Sequence, residues 1–510
     1  MNRSAQIVCI ALDALDKDLV RRWSAAGVLP TFRSLFQRSI WGVTSTPPGL
    51  YVGAVWPSFY TGASPARHGR YCYRQLRPGT YRIERAGASH VAVEPFWVAL
   101  SKAGRRVAVI DVPKTTVTPL NGIQVVDWAT HDAEPSGLQT WPAPFGRELI
   151  DRFGPPLLRT CDGHNQSVEQ CLALRDTLLA QVARKTELSR WMLKQARWEL
   201  LLTVFSEAHC AGHQFWHLHD PGCSRYDPAI ADRMGNPLRD IYIALDAAVG
   251  RVLESIDSDT VVFVVSSHGM SRHGDASGLL DDVLLRLEGR SRRPKPDRLA
   301  TQVLPLWQRT PGFVRAALRP LRDRVINRLV ADADRIDSTR KCFAIPNNDI
   351  YGGIRLNVIG REPRGRIRPG VEYDTFCQRV IDELHRITDV DTGVLAVRAV
   401  LRSADFYHGP RVGDFPDLLV EWNRDQPLRA LTSDRIGTLR SEHLPGRTGD
   451  HLPHGCFFAY GPGCGAGEMA STVSVMDFAP TFASLLDVNL SAIDGESFAS
   501  RLMRSRADRG

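Results

Sequence analysis

Two short strings constrain this chain more than any other feature: VVFVVSSHGM, Val261 to Met270, and FSEAHCAGHQFWH, Phe205 to His217. Each is an apolar run of strand length that ends abruptly in histidines. In an open α/β sheet the carboxyl ends of the strands are where ligands and metals sit. A third segment, RTGDHLPHG, Arg447 to Gly455, adds another histidine just before an apolar run, CFFAYGPG. Distant His-bearing strand ends that converge on one place form a metal-enzyme pattern.

The remaining apolar runs agree with that sheet. QIVCIAL (6–12), RRVAVIDVP (105–113), ELLLTVF (199–205), TVVFVVS (260–266) and PDLLVEW (416–422) read as buried strands. Residues 17–38, 166–197 and 474–488 read as helices. Strands alternating with helices predict an α/β fold with a mostly parallel sheet covered on both faces. Residues 276–340 differ, being rich in Arg, Leu and Asp with helical periodicity and Pro breaks. They are expected to form a helical insertion or lid between two stretches of core, 1–275 and 341–510.

Composition excludes several classes. No run of about 18 apolar residues exists, so no transmembrane helix is expected. The N-terminus, MNRSAQIVCIALDALD, reads as a first strand and not as a signal peptide. The expected location is therefore the cytoplasm, where the ten scattered Cys, none in a CxxC pair, stay reduced. The net charge of +8 is carried by Arg, with only seven Lys among the 64 basic residues. Arg suits small anionic partners such as phosphate or carboxylate groups, although a base-composition bias gives the same excess. No basic run is interleaved with aromatics, so no nucleic-acid partner is expected.

Nearly end to end, the chain resembles the type I phosphodiesterase/nucleotide pyrophosphatase branch of the alkaline phosphatase superfamily. The segments that carry the resemblance are IALDALD, WPSFYTGASPARHG (56–69), DWATHD (127–132), EAHCAGHQFWH (207–217), SSHGM (266–270), GREPRGRIRPGVEY (360–373), PDLLVEW, GDHLPHG and VMDFAPTFASLL. The resemblance implies an alkaline phosphatase-like α/β/α sandwich. It also implies two divalent metals and a Thr or Ser nucleophile at a helix N-terminus, with one metal activating the nucleophile and the other stabilising the leaving oxygen.

Carried over position by position, the match is uneven. Asp13 matches the first-strand Asp, His213 and His451 match two ligands of the first metal, and His268 matches the His of a DHGM motif. The Asp expected four residues before His213 is His209, and the Asp expected before His268 is Ser267. The nucleophile position falls on Val52, or on Tyr51 with a one-residue shift. Thr46, Ser58 and Thr61 are the other nearby hydroxyls.

His209 and His213, four apart, share a face if their segment is helical. With His451 they make a three-His set suited to zinc with an open position, although iron or manganese could take their place. The other site keeps Asp13 and His268 as candidate metal ligands, but Ser267 is a weak neutral one and the hydroxyl is missing, so charge compensation for a second cation is lost. The expectation is one divalent ion, with water as nucleophile and Asp13 or Glu207 as base. Tyr51, Ser267, Arg340 and Asn347 are the expected substrate contacts. His68 and His131 are assigned structural roles.

The leading function is metal-dependent hydrolysis of a phosphate ester or diester. The missing hydroxyl nucleophile leaves open a non-hydrolytic transferase, lyase or cyclase on the same fold, or a non-catalytic binding protein. The oligomeric state is not legible.

Overall fold

The computed structural model describes residues 5–131, 133–134, 136–158, 167–223, 225–274, 276–291, 336–347, 350–441 and 446–503. The strands that matter here are β1 (Gln6–Leu12), β2 (Ile40–Ser45), β3 (Val107–Ile110), β4 (Gly122–Val126), β5 (Gln139–Trp141), β6 (Leu200–Phe205), β7 (Thr260–Ser266), β8 (Gly269–Arg272), β9 (Cys342–Ile345), β10 (Tyr351–Leu356), β11 (Val397–Arg402), β12 (Leu418–Trp422), β13 (Gly449–Leu452) and β14 (His454–Tyr460). The helices are α1 (Lys17–Ala25), α2 (Pro30–Arg38), α3 (Tyr51–Thr61), α4 (Val168–Gln195), α5 (Glu207–His219), α6 (Pro237–Leu253) and α7 (Leu280–Leu287).

The main sheet runs β2-β14-β7-β1-β6-β3-β4-β5, with short strands flanking β2. Strands β7, β1, β6, β3 and β4 are mutually parallel, while β14 and β5 run antiparallel to their neighbours. The apolar runs are continuous because the sheet is buried on both faces. Along β1, Val8, Ile10 and Leu12 pack into one core with α4 and α6 residues such as Leu178 and Leu245. The alternate residues Ile7, Cys9 and Ala11 pack into the opposite core with Trp56, Phe59 and Phe478. The expected α/β/α sandwich with a mostly parallel sheet is thus observed.

Two local readings are refined. The helix expected over 17–38 is two helices, because Gly27 (φ 76°) ends the first and Pro30 opens the second. A separate antiparallel sheet, β9-β10-β12-β11, follows the site-bearing half. Helix α7 packs on it through Leu280, Val283, Leu284 and Leu287, together with Ile354, Leu418 and Trp422. Most of the expected lid, 292–335, lies outside the described residues.

A two-stranded ribbon, β8 paired antiparallel with β13, links the halves of the site. It lies against α5 at a close approach that two glycines permit. A Cβ on Gly449 would meet the Gly212 carbonyl oxygen at 2.2 Å, and one on Gly212 would meet the Met270 side chain at 2.7 Å. Both distances are too short for any other residue without displacement of helix or ribbon.

Candidate metal centre

Each site residue follows a parallel strand or lies on the ribbon. Asp13 follows β1, His131 lies in the loop after β4, α5 follows β6, and Ser267 and His268 follow β7. His451 lies on β13 opposite Met270. Helix α5 places His209 and His213 one turn apart, with ring centroids 4.5 Å apart. Its close contact with β13 then brings His213 to His451, Nε2 to Nε2 at 3.1 Å. The potential ligand atoms of His209, His213 and His451 all lie within 4.8 Å of one another, as do those of Asp13, His131 and His209. The two sets share His209.

All of these side chains are buried except His131, which is half-buried. Burial holds the His209, His213 and His451 imidazoles well below their ordinary pKa, and the charge of the half-buried Arg447 disfavours their protonation further. Neutral imidazoles are metal ligands. His213 Nδ1 donates to the Gly449 carbonyl at 2.8 Å, leaving Nε2 as its lone pair. His209 Nδ1 is buried and has no hydrogen-bond partner among the described residues, a cost that coordination would relieve. The donor set therefore fits a divalent ion.

Asp13 lies across His209 from this set. Its Oδ1 accepts from Trp56 Nε1 at 2.8 Å and from Ser267 Oγ at 3.3 Å, and its Oδ2 lies 3.7 Å from His131 Nδ1. Burial pushes the Asp13 carboxyl up to about 6, against those two hydrogen bonds and the charges of Lys114 and Lys185. Asp450 behaves oppositely. Burial raises its pKa, but His273, at 3.4 Å, together with His451 and Arg424, brings it below the usual carboxylate range. Its Oδ1 accepts the His451 backbone N–H at 2.7 Å.

The remaining expected residues are spread more widely. Glu207 Oε1 accepts from Gln181 at 3.0 Å, in a buried layer beside Lys185. Lys185 is fully buried, pairs with Asp111 at 3.1 Å, and donates to the carbonyls of Ala129 and Val204. Arg340 is held by Asp281 at 2.6 Å, beside α7. Asn347 donates to the Gly49 carbonyl at 2.8 Å, next to the start of α3. Tyr51 and Val52 open that helix, and Val52 packs against an apolar cluster. The other hydroxyls are engaged: Ser58 with His68 at 3.0 Å, Thr46 with the Pro453 carbonyl, and Thr61 with the Pro57 carbonyl. His131, assigned a structural role from sequence, instead stacks on His209 with centroids 3.8 Å apart.

The model of the type I phosphodiesterase/nucleotide pyrophosphatase family matches residues 7–354. The chain belongs to this family. As a member it is a phosphodiesterase- or pyrophosphatase-like enzyme of a metal-dependent class, and its His and Asp clusters could hold a metal. Solved structures share the fold at low identity. Phosphonoacetate hydrolase from Sinorhizobium meliloti 1021, bound to phosphonoacetate, is 12% identical with a TM-score of 0.51, covering 95% of this chain and 96% of that one. An inactive murine ectonucleotide pyrophosphatase/phosphodiesterase 5 bound to AMP is 12% identical with a TM-score of 0.50, covering 98% and 100%. No curated protein matches this sequence.

Proposed function

We propose that this protein is a hydrolase of small phosphate esters or diesters that works with one divalent ion, most simply zinc, and with water as nucleophile. The observation that carries this reading is the convergence of His209, His213 and His451 with no hydroxyl at Val52 on α3. When bound, the ion would supply Lewis acidity and lower the pKa of water. His209, His213 and His451 would hold it through neutral imidazole nitrogens. Asp13 Oδ2, facing His131, is the oxygen placed to take a proton, because Oδ1 is committed to Trp56 and Ser267. Glu207 is the weaker candidate for base, since its Oε1 is tied to Gln181. Half-buried Arg447 and Lys114, whose charges reach these groups, would favour an anionic substrate. The structural neighbours hold small phosphorus oxyanions, the phosphate ester AMP in one and the phosphonate phosphonoacetate in another, which supports a small anionic substrate.

The absence of a hydroxyl at Val52 favours a second reading, a non-hydrolytic enzyme on this fold. Metal analysis of the purified protein, combined with a nitrophenyl phosphodiester assay, separates the two. The proposal expects about one tightly bound ion per chain, measurable turnover and no phosphorylated residue. One ion without turnover of any phosphoester would favour the non-hydrolytic reading, and two ions would contradict the single-ion centre.

A further inference from the structure

The backbone of His451 is not held by the pairing of its own strand. The His273 N–H donates to the Thr448 carbonyl at 2.9 Å, so these two residues are a hydrogen-bonded pair at the end of the β8–β13 ribbon. Along an antiparallel ribbon such pairs alternate with pairs that exchange no ladder bonds. Counting along the register, Ser271 with Asp450 is the next bonded pair, and Met270 with His451 is an unbonded one. The N–H and carbonyl of His451 therefore point away from the ladder and need partners elsewhere.

Two side chains supply them. Asp450 Oδ1 accepts the N–H at 2.7 Å, and Arg424 Nη1 donates to the carbonyl at 3.1 Å. Arg424 lies two residues beyond β12, in the loop that leaves the antiparallel sheet. Its Nη2 donates to the Ser271 hydroxyl at 2.5 Å and to the Arg272 carbonyl at 2.9 Å. One guanidinium thus bridges both strands of the ribbon. A return contact runs the other way: Arg272 Nη2 donates to the Asp425 carbonyl at 2.7 Å, and its Nη1 donates to the Gly222 carbonyl at 3.3 Å. The His451 ring is met separately, with Nδ1 lying 2.8 Å from His268 Nε2. His268 and Arg424 therefore act on different parts of one ligand.

We propose that Arg424 is a positioning residue for the metal centre, holding the main chain of His451 so that its imidazole meets those of His209 and His213. The inference rests on the His209–His213–His451 metal reading. The antiparallel sheet then contributes to the centre without supplying a ligand, because the loop after β12 fixes where one ligand stands. An arginine suits this place because its planar fork offers separate donors to two strands at once, whereas a lysine ammonium is a single compact charge. Groups that orient a metal-binding histidine usually contact its ring. Here the hold is on its backbone. By linkage, a contact that favours the ion is itself favoured by the ion to the same degree.

The test measures zinc affinity of the full chain by competition with a chromophoric chelator, with zinc alone as the probe. Arg424→Gln should weaken zinc roughly tenfold while keeping one ion per chain. Arg272→Gln is the comparison, because it breaks the return contact to the same loop and leaves the His451 carbonyl untouched. It should stay within about twofold of wild type, since it removes no partner of a ligand. Zinc should also slow hydrogen exchange at the amides of residues 423–425 in the wild type. An Arg424→Gln protein within about twofold of wild type, an Arg272→Gln protein weakened as much as Arg424→Gln, or exchange at 423–425 that zinc leaves unchanged would each overturn the inference and leave the metal reading intact. Wild type that binds no zinc at all would remove the metal reading, and the inference with it. The wild-type exchange decides the matter even if a variant fails to fold.

Discussion

On the proposed single-ion reading, the two sides of the centre depart in opposite ways from the pattern that the sequence resemblance implies. On the α5 side a carboxylate position holds His209, another donor, and its ligand atoms stay within 4.8 Å of those of His213 and His451. On the α3 side a carboxylate position holds Ser267 and the nucleophile position holds Val52, neither a good ligand. Exchanging one donor for another keeps a cation site and changes its charge. Exchanging donors for a hydroxyl and a methyl pair removes a site and leaves its surviving members, Asp13 and His268, for other work.

The largest effect should come from the conserving side. His213→Ala leaves two imidazoles, and zinc affinity measured by chelator competition should fall on the order of a hundredfold or more. Retention of the ion would place it elsewhere and dissolve the contrast between the sides. Next in size is Gly449→Ala. The added methyl cannot share space with the Gly212 carbonyl, so denaturant unfolding should show a loss of about 1–3 kcal/mol. Zinc affinity should fall with it, because the same contact sets the distance from His213 to His451. If stability drops and affinity does not, the glycine contact shapes the fold without shaping the centre.

His131→Ala sharpens the boundary between the sides. With the ion on the three-His set, the variant should keep its metal and lose turnover roughly tenfold through altered support of Asp13. Release of the ion instead would move it toward Asp13, His131 and His209. The smallest effect is expected from Val52→Thr. A hydroxyl at that position lacks a second cation to activate it, so diester turnover should change by less than about threefold, with no phosphorylated threonine by mass spectrometry. A trapped phosphothreonine would show that the α3 side still binds a metal.

Much of the centre was legible because its signals were periodic. The α5 histidines announce themselves by four-residue spacing after an apolar strand, and β1, β6 and β7 by uninterrupted apolar runs. His131 was missed because a lone histidine in a loop has neither an apolar run nor a partner at helical spacing. The only available clue was its place in DWATHD. Arg340 shows the opposite limit: a cation beside an insertion looks free in sequence, yet in the structure Asp281 holds it. The antiparallel sheet was hidden because its strands are short and its pairing joins residues far apart, such as Tyr351 with Glu421.

Lys185 bears on the order of events. Its buried ammonium reaches the carbonyl of Ala129, two residues before His131, and that of Val204, just before the α5 helix begins, while Asp111 balances its charge. Breaking a buried pair of this kind costs about 3–5 kcal/mol, so the backbone around two of the histidines is fixed by the polypeptide itself. In small zinc domains the metal supplies the folding energy and chelators denature the protein. Here a chelator should empty the centre and leave a cooperatively folded protein ready to be reloaded, so the enzyme can acquire its metal after synthesis is complete.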